Sequence, residues 1–137
     1  MSQGLRIAPP EAPKTGYMFG KGVYFADVAS KSVQYCRTDA SNGYGLMLLC
    51  NVALGKTNDL IHSDYNANNL PKGLSSTKGC GYNIPDPKGD IAYEGNSKLA
   101  AGKIIRNEDK NGSLLYNEFI VYNVDQVELR YLFKIKA

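Results

Sequence analysis

Cysteine and histidine are scarce in this chain, which has three cysteines and one histidine among 137 residues. The cysteines are Cys36, Cys50 and Cys80, an odd number without a C-x-x-C spacing. A disulfide framework needs paired cysteines and a zinc site needs clustered thiolate or imidazole ligands, so neither has a basis here. The sequence therefore predicts reduced thiols in an intracellular protein, and no metal site.

Long apolar runs and clusters of basic residues are also missing. The longest apolar run, Leu46 to Cys50, is far too short to span a bilayer, and no basic segment precedes an apolar one at the start of the chain. The net charge of +3 is spread along the sequence without a run of lysine and arginine. We therefore expect a soluble intracellular protein that binds neither membranes nor DNA directly.

The composition is that of one folded domain. Hydrophobic residues make up 43% of the chain and charged residues 21%, which is typical of soluble globular proteins and not of disordered ones. A length of 137 residues suits a single domain or a large part of one. The sequence shows no internal repeat, so a solenoid or a propeller is not expected.

The first half of the chain predicts a loop, a strand, a helix and a second strand. Prolines and glycines make residues 8–22 a loop. The branched and aromatic run Val23 to Ala26 is typical of a strand, and Asp27 is a suitable N-cap for a helix from Val28 to Cys36. The almost continuously apolar segment Gly45 to Leu54 predicts a buried strand.

The second half predicts a long loop followed by a hairpin. Lys56 to Gly112 is rich in Asn, Gly, Pro, Lys and Asp, and long loops of this kind tend to be functional. Leu114 to Tyr122 and residues 127–135 have strand patterns, and Asn123 to Gln126 would form the turn of an antiparallel hairpin. These elements predict an α+β fold with mainly antiparallel strands and few helices. Both ends look cut, so we expect an N-terminally truncated fold whose partner strands lie outside the sequence.

Glu118 occupies an unusual position for a carboxylate. In an alternating strand it shares one face with Tyr116, Ile120 and Tyr122, where an unpaired buried charge is costly. The residues alone leave two explanations open. Glu118 acts in a reaction, or it is a strand-end glutamate that pairs with a nearby lysine.

A second group of residues is suited to holding a flat ring. Tyr24 and Tyr35 could stack on the two sides of such a ring, and Ser32, one helical turn before Tyr35, could form a hydrogen bond at its edge. The alternative is that the two tyrosines and the serine simply pack in a core.

Four long segments resemble one protein family. The run from Gly4 to Cys36, GLRIAPPEAPKTGYMFGKGVYFADVASKSVQYC, closely resembles the catalytic domain of poly(ADP-ribose) polymerases, in particular the DNA-damage-responsive members. The resemblance resumes in Gly45 to Gly55, Leu70 to Gly81 and Leu114 to Leu132. It implies an ADP-ribosyltransferase-like fold, with residues 1–137 as the C-terminal part of the catalytic domain. The implied activity is transfer of ADP-ribose from NAD to protein side chains and to growing ADP-ribose chains, with release of nicotinamide and without a metal.

The resemblance also implies roles for the residues around the ring. Tyr24 and Glu118 match the Tyr and Glu of the family's His-Tyr-Glu signature and are the expected catalytic residues. Tyr35 would stack on the nicotinamide ring, Ser32 would bond its carboxamide, and Tyr24 would close the opposite side.

Further NAD-binding positions follow from the same resemblance. Arg6 and Ala8 match positions near the adenosine half of NAD. Gly16 and Tyr17 lie in the loop that closes over the donor. Lys31 matches a residue beside the catalytic carboxylate, although it could instead be a solvated helix lysine.

One part of the family pattern is not found in these residues. The signature His, in a His-Gly-Ser motif, lies upstream of the Gly4 run in the family, and His62 sits in the long middle loop, where it cannot replace it. We therefore expect little or no transferase activity from the isolated chain. The chain is expected to be an incomplete sequence of an active polymerase; the alternative is a truncated pseudoenzyme or an interaction module that binds NAD or ADP-ribose.

The resemblance finally implies partners and a location. The expected partners are NAD, acceptor proteins and ADP-ribose chains, while DNA would be reached only through domains outside this sequence. A nuclear location is expected from the likeness to the damage-responsive members.

Overall fold

The computed structural model describes residues 17–33, 43–93, 95, 97–108 and 112–136. In these ranges the chain forms eleven strands, one α-helix and two short 3-10 turns. The strands are β1 (Val23–Phe25), β2 (Tyr44–Val52), β3 (Thr57–Leu60), β4 (Ser76–Gly79), β5 (Gly81–Pro85), β6 (Ile91–Tyr93), β7 (Ser97–Leu99), β8 (Ile104–Arg106), β9 (Leu114–Tyr116), β10 (Glu118–Val121) and β11 (Val127–Lys136). The helix is α1 (Ala29–Val33), and the 3-10 turns are Pro87–Gly89 and Val124–Gln126.

A four-stranded sheet in the order β1-β10-β4-β3 carries the main core. β10 is antiparallel to both of its neighbours, and β4 and β3 are parallel. Phe19, Ala67, Leu114 and Ile120 form a buried cluster against this sheet. Most strand pairs are antiparallel and helix is rare, which confirms the α+β class with few helices.

The predicted hairpin between Leu114–Tyr122 and residues 127–135 is wrong. β11 pairs along its length with β2, from Val127 opposite Val52 to Lys136 opposite Tyr44. The Gln126 side-chain amide donates to the carbonyls of Ala53 and Ser75, both at 2.9 Å. These contacts tie the 3-10 turn to the residue that follows β2 and to the residue that precedes β4.

The strand predicted over Gly45 to Leu54 is confirmed as β2, but its predicted burial is wrong. Exposure alternates over residues 44–48 of the strand, where Leu46 is 63% exposed, and residues 49–52 are half-buried. Among the described residues, β2 pairs with β11 in a sheet of two strands, which leaves its side chains incompletely covered. A continuous apolar run is therefore compatible here with a half-exposed strand.

The long loop predicted from Lys56 to Gly112 is also wrong, because it contains β3 to β8. These strands are short and rich in polar residues, so they lack the apolar periodicity on which sequence-based assignment depends. Ser76 and Thr77 of β4 are fully buried, and their hydroxyls have hydrogen-bond partners in Leu54 and Tyr122. Hydrogen bonding, not hydrophobic pattern, allows this segment into the core.

The continuous strand predicted over Leu114 to Tyr122 is interrupted at Asn117. β9, before the interruption, belongs to a three-stranded sheet in the order β8-β5-β9, whereas β10 belongs to the central sheet. The residue immediately before Glu118 is therefore a junction between two sheets.

The strand and helix predicted near the start of the described residues are present. β1 matches the predicted strand from Val23, and α1 covers Ala29–Val33 of the predicted helix, whose residues 34–36 lie outside the described ranges. Asp27 precedes this helix, but its carboxylate binds Asn117 across the sheet. No helix in the part of the chain that the structure describes is long and apolar enough to cross a membrane.

Candidate active site

β1, α1 and β10 bring the predicted site residues to one cleft of about 1550 Å³. The predicted residues among those that line it are Tyr17, Tyr24, Lys31, Ser32 and Glu118. The other predicted residues, Arg6, Ala8, Gly16 and Tyr35, lie outside the described ranges. Residues separated by almost a hundred positions in the sequence thus share a surface because β1 and β10 pair in the central sheet.

Glu118 is held by Lys31 at the first residue of β10. Lys31 Nζ lies 2.9 Å from Glu118 Oε1, and each side chain is 12% exposed. Lys31 Nζ also donates to the carbonyl oxygen of Tyr116 at 3.4 Å. Lys31 is therefore a partner of the buried carboxylate and not a solvated helix lysine.

The second oxygen of the same carboxylate is available for a ligand. Glu118 is only 9% exposed, and its Oε2 is buried without a hydrogen-bond partner among the described residues. Buried polar atoms are normally satisfied, because an unpaired one loses its hydration without compensation. Glu118 lines the cleft, and a carboxylate with one oxygen oriented by an ammonium group and the other without a partner is an arrangement that can accept a hydrogen bond from a bound hydroxyl group.

Tyr24 uses its hydroxyl group to hold the loop that precedes β1. The hydroxyl donates to the carbonyl of Gly20 at 2.5 Å and accepts from the backbone N–H of Phe19 at 3.0 Å. Burial raises the pKa of the Tyr24 phenol, so it stays protonated and able to donate. The Tyr24 ring lies beside that of Tyr17, with centroids 6.2 Å apart and planes tilted by 50°.

Tyr122 holds the other side of the same loop. Its hydroxyl donates to the carbonyl of Phe19 at 2.7 Å and lies 2.8 Å from Thr77 Oγ1, which can donate to it in turn. The backbone of Phe19 is thus bound at its N–H by Tyr24 and at its C=O by Tyr122. Phe19 is fully buried, so it anchors the loop that carries Tyr17 to the core.

Sequence reasoning missed Asp27 and Asn117 as members of the site. Asn117 Nδ2 donates to Asp27 Oδ2 at 3.0 Å, and Asp27 also lines the cleft. Burial raises the pKa of the Asp27 carboxyl above its ordinary value, although the hydrogen bond from Asn117 opposes that shift. An asparagine inside an otherwise apolar strand pattern was the one available signal, since Asn is depleted in strands.

The histidine and the cysteines outside the predicted site differ in their relation to this cleft. His62 is exposed and Cys80 is buried, and neither lines the cleft, whereas the half-buried Cys50 does. Among the residues that the structure describes, no group of His, Cys, Asp and Glu side chains is arranged to hold a metal ion.

Comparison with known proteins shows the family of this chain. The family model described as "Poly(ADP-ribose) polymerase catalytic domain" matches residues 1–137. The chain is 54% identical over 136 residues to Poly [ADP-ribose] polymerase 2 of Arabidopsis thaliana, which covers 99% of this chain and 21% of that protein. It is 56% identical over 135 residues to Poly [ADP-ribose] polymerase 2-A of Oryza sativa subsp. japonica, covering 98% of this chain and 20% of that protein.

A vertebrate relative shows a similar level of identity. The chain is 52% identical over 136 residues to Poly [ADP-ribose] polymerase 1 of Danio rerio, covering 99% of this chain and 13% of that protein. The chain therefore spans about a fifth or less of the length of these curated relatives. The match nevertheless runs through the whole chain, and the chain belongs to the poly(ADP-ribose) polymerase catalytic-domain family.

Proposed function

We propose that this chain is the C-terminal part of a catalytic domain that transfers ADP-ribose from NAD to protein side chains and to growing ADP-ribose chains. Nicotinamide is the leaving group, and no metal takes part. The observation that carries the proposal is the Glu118 carboxylate, which lines the cleft, is bound to Lys31 through one oxygen and has no partner among the described residues at the other.

The unpartnered oxygen suits the reaction at the nicotinamide ribose. When the bond between the ribose anomeric carbon and the ring nitrogen breaks, its electron pair goes to the nitrogen, and nicotinamide leaves as a neutral molecule. Positive charge develops on the ribose, and a carboxylate that accepts a hydrogen bond from the 2'-hydroxyl stabilises it. Glu118 then takes the proton of an acceptor hydroxyl whose oxygen bonds to the anomeric carbon.

Lys31 makes Glu118 ready for this role. The ion pair keeps one carboxylate oxygen turned towards α1, so the other has a defined direction. An oriented charge in a site of low dielectric stabilises a developing opposite charge without further reorganisation. Lys31 itself need not touch the donor.

The contacts that bind NAD are assigned to the other predicted residues. Ser32 on α1 and Tyr24 on β1 line the same cleft as Glu118, which supports roles for Ser32 on the nicotinamide carboxamide and for the Tyr24 ring as one wall. Tyr35 is proposed as the opposite wall. The proposed contacts to the rest of NAD come from Arg6, Ala8, Gly16 and Tyr17.

Location and activating partners are proposed from the family alone. The high identity to polymerases 1 and 2 supports a nuclear protein that acts on acceptor proteins. Contact with DNA would then be made by other domains.

A binding module that holds NAD or ADP-ribose without reaction is the alternative. Such a module needs aromatic stacking but no carboxylate at the ribose, so it does not explain the buried Glu118–Lys31 pair. A buried ion pair usually contributes no more to folding stability than two packed hydrophobic side chains would. Stability alone is therefore a weak reason for the Glu118–Lys31 pair.

The test substitutes Glu118 in a protein that can complete the site. We would join this chain to the residues that precede the matched region in the Arabidopsis thaliana relative, and we call this product the fused domain. Glu118→Gln keeps the shape and removes the charge, and it should lower the rate of NAD turnover about 10²- to 10³-fold while nicotinamide still binds. Glu108→Gln, at an exposed position, is the matched control and should leave the rate unchanged.

The same measurements separate the proposal from its alternative. A fused domain that binds NAD but releases no nicotinamide would support a binding module. Full elongation activity in Glu118→Gln would refute the role assigned to the carboxylate.

A further inference from the structure

The junction between β9 and β10 decides where the Glu118 carboxylate lies. The chain passes from the three-stranded sheet to the central sheet at Asn117, the residue directly before Glu118. A change in the backbone at Asn117 therefore moves the start of β10 and with it the direction of the Glu118 side chain.

Two contacts hold Asn117 in place from opposite sides. Asn117 is 4% exposed, and its Oδ1 accepts from the backbone N–H of Gly81 at 2.8 Å. Its Nδ2 donates to Asp27 Oδ2 at 3.0 Å. The Gly81 contact is made by backbone, so Asp27 is the side chain that completes the fixation of the Asn117 amide.

The position of Asp27 follows from strand register. The β1–β10 ladder ends with Phe25 opposite Phe119, and continuing the antiparallel register by two residues places Asp27 opposite Asn117. The side-chain bond thus extends the pairing of the two strands past their last ladder pair. Glu118 lies between the ladder and this bond, so it is held from both directions.

The fold bears a cost for a carboxylate at this place. Asp27 Oδ1 is buried without a hydrogen-bond partner among the residues described, and burial holds the pKa of the carboxyl above its ordinary value. A buried charge with one unsatisfied oxygen lowers stability. Side chains that lower folding stability in this way are typical of functional sites and not of the folded core.

We propose that Asp27 is a positioning residue for the Glu118 carboxylate and that it acts through the side-chain amide of Asn117. The inference rests on the proposed transferase function of Glu118. Asp27 does not touch the donor in this scheme. It limits the motion of the backbone that carries the reacting carboxylate, and an error of about 1 Å in such a group can cost about 10² in rate.

The test compares three variants of the fused domain. Asp27→Ala removes the bond to Asn117, and kcat for nicotinamide release should fall about 10- to 100-fold with little change in KM for NAD. Asp27→Asn keeps an oxygen that can accept from Asn117 Nδ2, and it should restore most of the rate. Asp59→Ala, at an exposed aspartate of β3, is the matched control and should behave as wild type.

A double variant identifies the route by which Asp27 acts. If Asp27 positions Glu118, then Asp27→Ala should have almost no further effect in a Glu118→Gln background. Circular dichroism and thermal unfolding check that each variant is folded. Should Asp27→Ala not fold, Asp27→Ser replaces it, because the serine hydroxyl is too short to reach Asn117.

Each outcome bears on one of the two proposals. Wild-type kcat in Asp27→Ala, or an equal loss in both backgrounds, would overturn the positioning role while leaving the function of Glu118 intact. An active Glu118→Gln variant, or an inactive fused domain of wild-type sequence, would instead overturn the proposed function itself.

Discussion

The hydroxyl of Tyr24 is expected to stabilise the loop before β1, and Tyr24→Phe tests this directly. The substitution removes one atom and keeps the ring that lines the cleft. It abolishes the bond donated to Gly20 and the bond accepted from the Phe19 N–H. Each hydrogen bond contributes about 0.5–1.5 kcal/mol net, so we expect the free energy of unfolding to fall by about 1–3 kcal/mol.

Urea unfolding followed by circular dichroism would measure this loss. Tyr122→Phe should cost a similar amount, because it removes the bond to the Phe19 carbonyl and the contact with Thr77. Tyr131→Phe is the control, since Tyr131 is 48% exposed and should change stability by less than about 0.5 kcal/mol. The losses from Tyr24→Phe and Tyr122→Phe should not add in the double variant, because both hydroxyl groups hold the backbone of Phe19.

The reasoning would be refuted by a Tyr24→Phe variant as stable as the control. The hydroxyl would then be free of its loop contacts in solution and available to a ligand. A loss of stability with unchanged NAD turnover in the fused domain would instead show that Tyr24 contributes its ring, not its hydroxyl, to the site.

Two further predictions concern the residues around the β9–β10 junction. A Cβ added at Gly81 would clash with the Tyr116 carbonyl carbon, so Gly81→Ala should lower the free energy of unfolding, measured in urea, by about 3 kcal/mol. A Cβ at Gly73 would have no atom within 4 Å, so Gly73→Ala should lower the free energy of unfolding only through the strain of the left-handed backbone, by about 1–2 kcal/mol. Equal losses would contradict the close packing at Gly81. The raised pKa of Asp27 means that the folded protein holds this proton more tightly than the unfolded chain, so the free energy of unfolding falls as pH rises above the ordinary value of 3.8. Asp27→Asn removes this pH-dependent contribution, so the stability of the variant relative to wild type should increase from about pH 3 to about pH 7. Urea titrations in which this difference stays constant or decreases would show that burial does not raise the pKa of the Asp27 carboxyl.

Local patterns were sufficient for part of the fold. The branched and aromatic run at Val23 predicts β1, and the alternation after Val127 predicts β11, because each depends on side chains that are neighbours in sequence. Strand partners were not predictable in the same way. β11 pairs with β2 and not with β10, and Gln126 bonds to Ala53 and Ser75, which are far from it in the sequence.

The polar strands were the elements that the sequence patterns failed to predict. The chain between Lys56 and Gly112 reads as loop because its residues are those of turns, yet it supplies six strands. Buried Ser76 and Thr77 enter the core because their hydroxyls find partners far away in the sequence. Such partners have no signature in local composition.

The candidate site shows the same division. Glu118 stands out in the sequence as a carboxylate in an apolar strand, and the resemblance assigns Tyr24, Ser32 and Lys31 to its neighbourhood. The structure adds the direct bond from Lys31 to Glu118 and the attachment of the Tyr24 hydroxyl to the loop. Neither contact follows from spacing along the chain.

The sequence by itself determined the family and singled out Glu118 as the candidate carboxylate, because these depend on motifs and on short-range periodicity. Only the tertiary structure decided that the strand of Glu118 is interrupted at Asn117 and that Asp27 lies opposite this junction. The physical reason is that strand pairing brings together groups separated by some ninety positions, and the hydrogen bonds between them depend on register and burial and not on sequence neighbours.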